Sequence, residues 1–296
     1  MRVTSAIAMR STLRDLSSAY TRLQDNQLRV SSGKAFEKVS DDPNRAVDAL
    51  ALRQQLRRTE SLERTADDTT ARLRSSDTAL VSTLEILTRV KELTVQASNS
   101  GSSTPTTRAA IAAELGGLRE ELLAVANTEY LGRPLFNGTA GGQAYDPSTG
   151  AYLGNATTFE RSVAPGITIT GNMTGEQVFG SQSDPAGDLF AVIDRLTASI
   201  ASGDDATIQA EHANLDVAST RVGAAAAEIG RRASHLETIQ SRMAVDRGDL
   251  VTRLSMVEDV DLAEALISMQ ASENAYTATL QAASRVLPPS LVDYLR

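Results

Sequence analysis

Between Asp205 and Pro288 no proline interrupts the chain, and Ile229, Leu236, Met243, Leu250 and Val257 recur every seven residues, with Ile239 and Leu254 between them. A seven-residue apolar recurrence is a coiled-coil seam, because 3.5 residues per turn brings every such side chain back to one face. Unbroken, about 80 residues at ~1.5 Å each would run roughly 120 Å. A stripe this narrow does not hold an isolated helix in water, so it requires a partner helix. The acidic run Glu258–Asp261 is where such a rod would bend or loosen.

The partner can come from the other end of the chain. Met9, Leu13, Leu16, Tyr20, Leu23 and Val30 fit a 4-3-4-3 pattern, with Gln27 filling the missing step, and predict a first helix ending near Gly33. A second helix starts after Asp41-Asp42, whose carboxylates can accept from free N–H groups, with Pro43 at the position where no N–H is needed. Its seam, Leu62, Ala66, Leu73, Leu80 and Leu87, continues to about Ser98. Thr104-Pro105 restarts a third helix with Ile111, Leu115, Leu118, Leu122 and Val125. Leu189, Ile193, Leu196 and Ile200 mark another that breaks at Ser202-Gly203. Between about 131 and 183 the chain is rich in Gly, Thr and Asn and has no helical seam. There "AYDPSTGAY" reads as a hairpin turning at Asp146–Gly150, and "FERSV" and "ITIT" as short strands around Pro165-Gly166.

The expected fold is mainly α: a long antiparallel helical coiled-coil rod built from both chain ends, carrying a small β-rich inserted domain. The expected divisions are 1–40 plus 256–296 as a terminal helical domain, 41–136 plus 184–255 as a helical rod domain, and 137–183 as the β-rich insertion. Composition agrees: of 296 residues 41% are hydrophobic but only 4% aromatic, without Trp, which suits narrow helix seams better than a thick core.

The formal net charge of −8 and the lack of a basic run argue against nucleic acid as a partner. Residues 1–60 reverse the balance, with eleven Lys or Arg against seven Asp or Glu, a pattern that a solvated helix face explains. There is no Cys for a disulfide or thiolate metal site. The N-terminal "MRVTSAIAMRSTLRDL" lacks the apolar stretch of about 7–15 residues of a secretory signal, and no stretch reaches the roughly 18 residues of a membrane span.

No catalytic, cofactor-binding or metal-binding set emerges. Gly33-Lys34 lacks the rest of a phosphate loop: Ala35 stands where Ser or Thr belongs, and a helix precedes it. His212 and His235 lie 23 residues apart and cannot form an i, i+4 metal pair. Glu258, Asp259 and Asp261 lack the glycine turn and further ligands of a calcium loop. Asn137-Gly138-Thr139 matches a glycosylation acceptor, read here as coincidence, and Met9, Met243, Met256 and Met269 read as seam fillers.

Several stretches carry a family likeness. "QLRVSSGKAFEKVSDDPNRAVDAL", "VANTEYLGRPLFNGT", "EIGRRASHLE", "VEDVDLAEAL", "QASENAYTATLQAASRV" and the ending "LPPSLVDYLR" occur in the order found in bacterial flagellins. The chain resembles the flagellin family, and within it the hook-associated members of the hook–filament junction, to which "MRVTS" and Asp293-Tyr294 are most similar. The resemblance implies a structural subunit rather than an enzyme, exported unfolded without a cleaved signal to the extracellular flagellum. Its partners would be further copies of itself in a ring, the first hook-associated junction protein, flagellin and an export chaperone, with no cofactor and no membrane insertion. A filament flagellin and, less fittingly, a cytoplasmic coiled-coil adaptor stay open as alternatives. The expected assembly interface is Leu13, Leu16, Tyr20, Leu23, Leu266, Tyr276, Leu280, Leu287, Leu291 and Tyr294, exposed in a monomer and covered in a tube. The expected helix joint is Gly33, Asp41, Asp42 and Pro43.

Overall fold

The structure is a computed structural model and describes residues 2–99, 104–184 and 186–286. The chain is mainly α. In order come α1 (Arg2–Ser32), α2 (Pro43–Ser98), α3 (Pro105–Ala126), β1 (Glu129–Tyr130), β2 (Arg133–Pro134), β3 (Glu160–Ala164), β4 (Ile167–Thr170), α4 (Gly175–Phe179), α5 (Leu189–Ser202), α6 (Asp205–Glu258) and α7 (Leu262–Val286). Two compact units divide them, Met1–Arg58 with Asp246–Arg296, and Thr59–Val245, so that α2 and α6 contribute to both.

In the unit of residues 59–245 the heptads become the core. Ala66, Leu73, Leu80 and Leu87 of α2 are all fully buried, as are Leu215, Val222, Ile229 and Leu236 of α6, with Ile208 and Met243 nearly so. The α6 seam therefore begins three heptads earlier than the residues that first reveal it. Hydroxyls occupy intervening seam positions of α2 without being left unpaired: Thr83 and Thr94 donate to the carbonyls of Ala79 and Val90 at 2.8 and 2.7 Å. α3 packs on α5, and ion pairs tie neighbouring helices, Arg89 to Glu114 and Arg119 to Asp194.

Local signals set the helix ends. Thr104 caps α3, accepting from the Thr107 N–H, and Asp188 caps α5, accepting from the Ala191 N–H at 2.7 Å. α5 stops at Gly203, whose φ of +77° is the left-handed conformation that ends a helix at little cost only for glycine.

The hairpin at 145–152 forms as expected: Tyr145 and Tyr152 bridge, the Asp146 N–H bonds the Ala151 carbonyl, and the Asp146 carboxylate accepts from the Ser148 and Thr149 N–H groups. Those bonds, the Ser148 hydroxyl first, hold that carboxylate below its usual pKa. β3 and β4 pair antiparallel around Pro165-Gly166. Sequence periodicity does not reveal β1 and β2, which pair across the two-residue turn Leu131-Gly132, nor the single-turn α4. Leu131 takes φ +50° there while 80% exposed, a left-handed conformation that strains a side-chain-bearing residue. Seven of the eleven Phe and Tyr residues belong to this unit: Tyr145 lies within 5.5 Å, centroid to centroid, of Tyr152, Phe179 and Phe190, and Phe136 meets Phe179 edge-on. The glycosylation-like Asn137 is 99% buried, at 1% exposure, and donates both amide hydrogens to the carbonyls of Ala140 and Gly142. It is closed to modification in the folded chain.

In the other unit α1 packs along α7. The direction is antiparallel: Tyr20 meets Tyr276 at 5.7 Å, whereas Asn26, further along α1, reaches back to Ser268 and Ser272 of α7.

Candidate assembly surface

Two helices that touch along one seam bury only the residues facing each other. On α1 Leu23 is 9% exposed, and on α7 Ala265 and Ala283 are buried. Asn26 fixes the register, donating to the Ser272 hydroxyl at 2.6 Å and the Ser268 carbonyl at 3.3 Å. A larger set of apolar side chains stays exposed. Leu13 is 54% exposed, Tyr20 47%, Leu266 48% and Leu280 43%, and Ile7, Met9, Leu28 and Ile267 are exposed as well. Leu16 and Tyr276 are half-buried. Leu23 therefore departs from the expectation of an exposed seam residue: it is already covered within one chain. Leu287, Leu291 and Tyr294 lie outside the described residues. Of the expected seam methionines, Met243 is buried but Met256 stands 76% exposed.

The joint is built from two helix breaks stitched together. Gly33, at φ +70°, closes α1 with its N–H on the Arg29 carbonyl, and no atom lies within 4 Å of where a Cβ would stand. The glycine is needed for its backbone angle and not for space. On the other side α6 ends at Glu258 and α7 starts at Leu262, so the long helix does break in the acidic run. Between the breaks the Ala35 N–H donates to the Glu258 carbonyl at 2.7 Å and the Val260 N–H to the Gly33 carbonyl at 3.0 Å, making an antiparallel bridge of Lys34 with Asp259.

The two aspartates before α2 divide their labour. Asp42 caps the helix, its carboxylate accepting from the Arg45 N–H at 3.1 Å, with Pro43 as first residue. Asp41 closes the preceding turn by accepting from the N–H groups of Lys38 and Glu37, and the Lys38 bond above all lowers its pKa. Asp261 plays the capping part for α7, accepting from the N–H of Ala263 at 2.9 Å.

Glu258, read from sequence only as part of the acidic run where the rod bends, is buried. Arg53 of α2 donates from Nη2 to its Oε2 at 2.7 Å, and Nε sits 2.6 Å from Oε1 as an ion pair whose angle is too poor for a hydrogen bond. Lys34 adds a third charge at 3.7 Å. A partner 205 residues away leaves no local trace in sequence. The arrangement can hold helices in register and present apolar surface. His212 lies beside Asp216, and among the described residues no three His, Cys, Asp or Glu side chains group to hold a metal ion. No helix among the described residues is long and apolar enough to cross a membrane.

Residues 3–141, which carry α1, the joint, α2, α3 and the β1–β2 hairpin, match the bacterial flagellin N-terminal helical region. Over nearly its whole length the chain is similar to the Bacillus subtilis protein Flagellin, 26% identical with 89% of each chain covered. It is also similar to Flagellar hook-associated protein 3 of Escherichia coli, 25% identical with 95% of this chain and 96% of that one covered. Among solved structures, FlgL of Xanthomonas campestris superposes with a TM-score of 0.62 at 21% identity, covering 69% of this chain and 99% of that one, and so shares the fold. The chain thus carries a bacterial flagellin N-terminal helical region at the expected place, is similar almost end to end to a flagellin and to a hook-associated protein, and shares the fold of FlgL.

Proposed function

We propose that the protein is the structural subunit of the bacterial flagellum that forms the ring joining hook to filament, assembling outside the cell after export through the flagellar secretion channel. The observation that carries the reading is the α1–α7 pair, which leaves Leu13, Tyr20, Leu266 and Leu280 exposed on helices that already pack together. Such a surface is covered when copies of the pair line a tube. Leu16, Leu23 and Tyr276 organise the pair from within, and Leu287, Leu291 and Tyr294, which lie outside the described residues, are counted in the proposed interface on sequence alone. The terminal segments 1–40 and 256–296 form the inner layer in this proposal, 41–136 with 184–255 the surrounding rod, and 137–183 the outer decoration. Gly33, Asp41, Asp42 and Pro43 form the joint that lets the inner helix and the next differ in tilt.

The partners follow from the place in the structure: copies of itself around the ring, the first hook-associated protein on the hook side, flagellin on the filament side, and an export chaperone that covers the apolar terminal helices beforehand. The role is structural and not catalytic. Similarity to a flagellin over most of the chain favours a second reading, a filament subunit. Deleting the gene in its own cell decides between them: hooks without filaments, with flagellin shed into the medium, are expected. Normal filaments refute the junction role, and purified protein that grows micrometre filaments selects the second reading.

A further inference from the structure

A cleft of about 790 Å³ opens in the unit of residues 59–245, within the roughly 300–1,000 Å³ of ordinary ligand sites. Its walls are α2 at Asp68 and Arg72, the β1–β2 hairpin, the glycine-bearing loop 138–142 and the start of β3. Three guanidinium groups line it, those of Arg72, Arg133 and Arg161, in a protein whose formal net charge is −8. None of the three is within ion-pair distance of a carboxylate among the described residues, although Asp68 and Glu160 also line the cleft and Asp68 accepts from the Tyr130 hydroxyl.

Other forces hold these arginines. Arg72 and Arg161 place their guanidinium carbons 5.4 and 5.3 Å from the centre of the Phe159 ring. A guanidinium stacked on an aromatic face keeps its N–H donors in plane and available to an acceptor. Arg72 is only 8% exposed; its Nη2 donates to the carbonyls of Pro134 and Leu135, and its buried Nε has no acceptor. Burial pushes the Arg72 pKa down, Asp68 counters this, and the like charges of Arg133 and Arg161 push it down further. An anion in the cleft would remove that repulsion. The rim presents Gly138, Gly141 and Gly142, so little side-chain bulk keeps a peptide main chain away.

We infer that this cleft is a docking site for an acidic peptide segment of a partner protein, whose carboxylates are taken by the exposed Arg133 and Arg161, with the charge of the buried Arg72 behind them. The planar fork of arginine matches a carboxylate in two parallel hydrogen bonds, which makes a carboxylate-bearing segment the fitting ligand. The site lies apart from α1 and α7 in sequence, and it stands whether or not the junction role does.

The test uses the purified full chain and a rhodamine-labelled hexapeptide of alternating Glu and Gly, read by fluorescence anisotropy at low ionic strength. Saturable binding is expected, with Arg133→Glu and Arg161→Glu each weakening it roughly tenfold to a hundredfold, the range for a lost charge-assisted hydrogen bond. Both side chains are exposed, so the variants keep their circular dichroism spectrum. Arg242→Glu makes the same charge change on an exposed face of α6 and leaves binding intact. The peptide with Gln in place of Glu does not bind. The inference is overturned by absence of saturable binding, by equal loss in Arg242→Glu, by equal binding of the Gln peptide, or by inorganic phosphate displacing the peptide at matched concentration.

Discussion

Leu80→Ala and Leu13→Ala remove the same atoms from two helices and separate folding from assembly. Leu80 is fully buried in the α2 seam, one heptad from Leu73 and one from Leu87, whereas Leu13 of α1 is 54% exposed. A buried Leu→Ala change loses both the transfer of the side chain and the filling of its space, about 2–5 kcal/mol. The unit spanning 59–245 is of a size where each kcal/mol moves the melting temperature by about 2–4 °C, so Leu80→Ala lowers it by roughly 10 °C. Leu13→Ala leaves it within the change of about 0.5 kcal/mol usual for surface substitutions. Assembly reverses the order. About half of the 1.5–3 kcal/mol of a fully buried Leu is still unrealised at Leu13, so its loss weakens each subunit contact by about 0.75–1.5 kcal/mol, roughly four- to twelvefold. Adding Leu280→Ala, also exposed, multiplies the effect. Melting followed by circular dichroism reads the first quantity, and the protein concentration needed to load isolated hook tips reads the second. If Leu13→Ala melts as early as Leu80→Ala, or loads hooks at the wild-type concentration, the division of apolar residues between core and assembly surface is wrong.

Other outcomes follow from individual groups. Arg195→Met strips Glu211, a buried carboxylate, of its two-bond partner and leaves it only Asn214; urea unfolding should show a loss of about 2–4 kcal/mol, less than for a fully buried pair because Arg195 is partly exposed. The Arg231 and Arg232 guanidinium groups pull Glu228 from the ordinary 4.5 down to about 2, so its contribution is complete above about pH 4.5 and disappears as pH falls toward 2. Glu228→Gln should remove that part of the acid transition, worth about 1 kcal/mol after solvent screening. Leu131→Asn relieves the left-handed strain in the β1–β2 turn and should raise stability by about 1 kcal/mol, seen as a higher urea midpoint. Gly33→Ala meets no atom but must hold φ +70°, which costs about 1–2 kcal/mol and should show as weaker hook loading with an unchanged melt of the 59–245 unit.

Glu258 marks the limit of reading by pattern. Its sequence neighbours announce a charged bend, and the helix does end there, yet the side chain is buried against Arg53 and Lys34 and not solvated. Leu23 and Leu13 sit in one 4-3-4-3 pattern and look equivalent, but Leu23 is 9% exposed and Leu13 54%. Periodicity says which side chains share a face; it does not say how much of the face one partner helix can cover. Arg133 and Arg161 likewise show nothing in sequence that brings them to Arg72, because two short strands and a loop do so across about 60 to 90 residues of chain.

What the sequence determined by itself was the set of long helices, their ends and the antiparallel pairing of first with last. Heptad spacing, Pro at a first turn, Asp or Thr before it and Gly after a last turn each act within a few residues, so they can be read in one dimension. What only the tertiary structure decided was which apolar residues remain uncovered, that Glu258 has a buried partner, and that three arginines share a cleft. Each of those depends on contacts between segments distant in the chain, where geometry and not local preference sets the free energy.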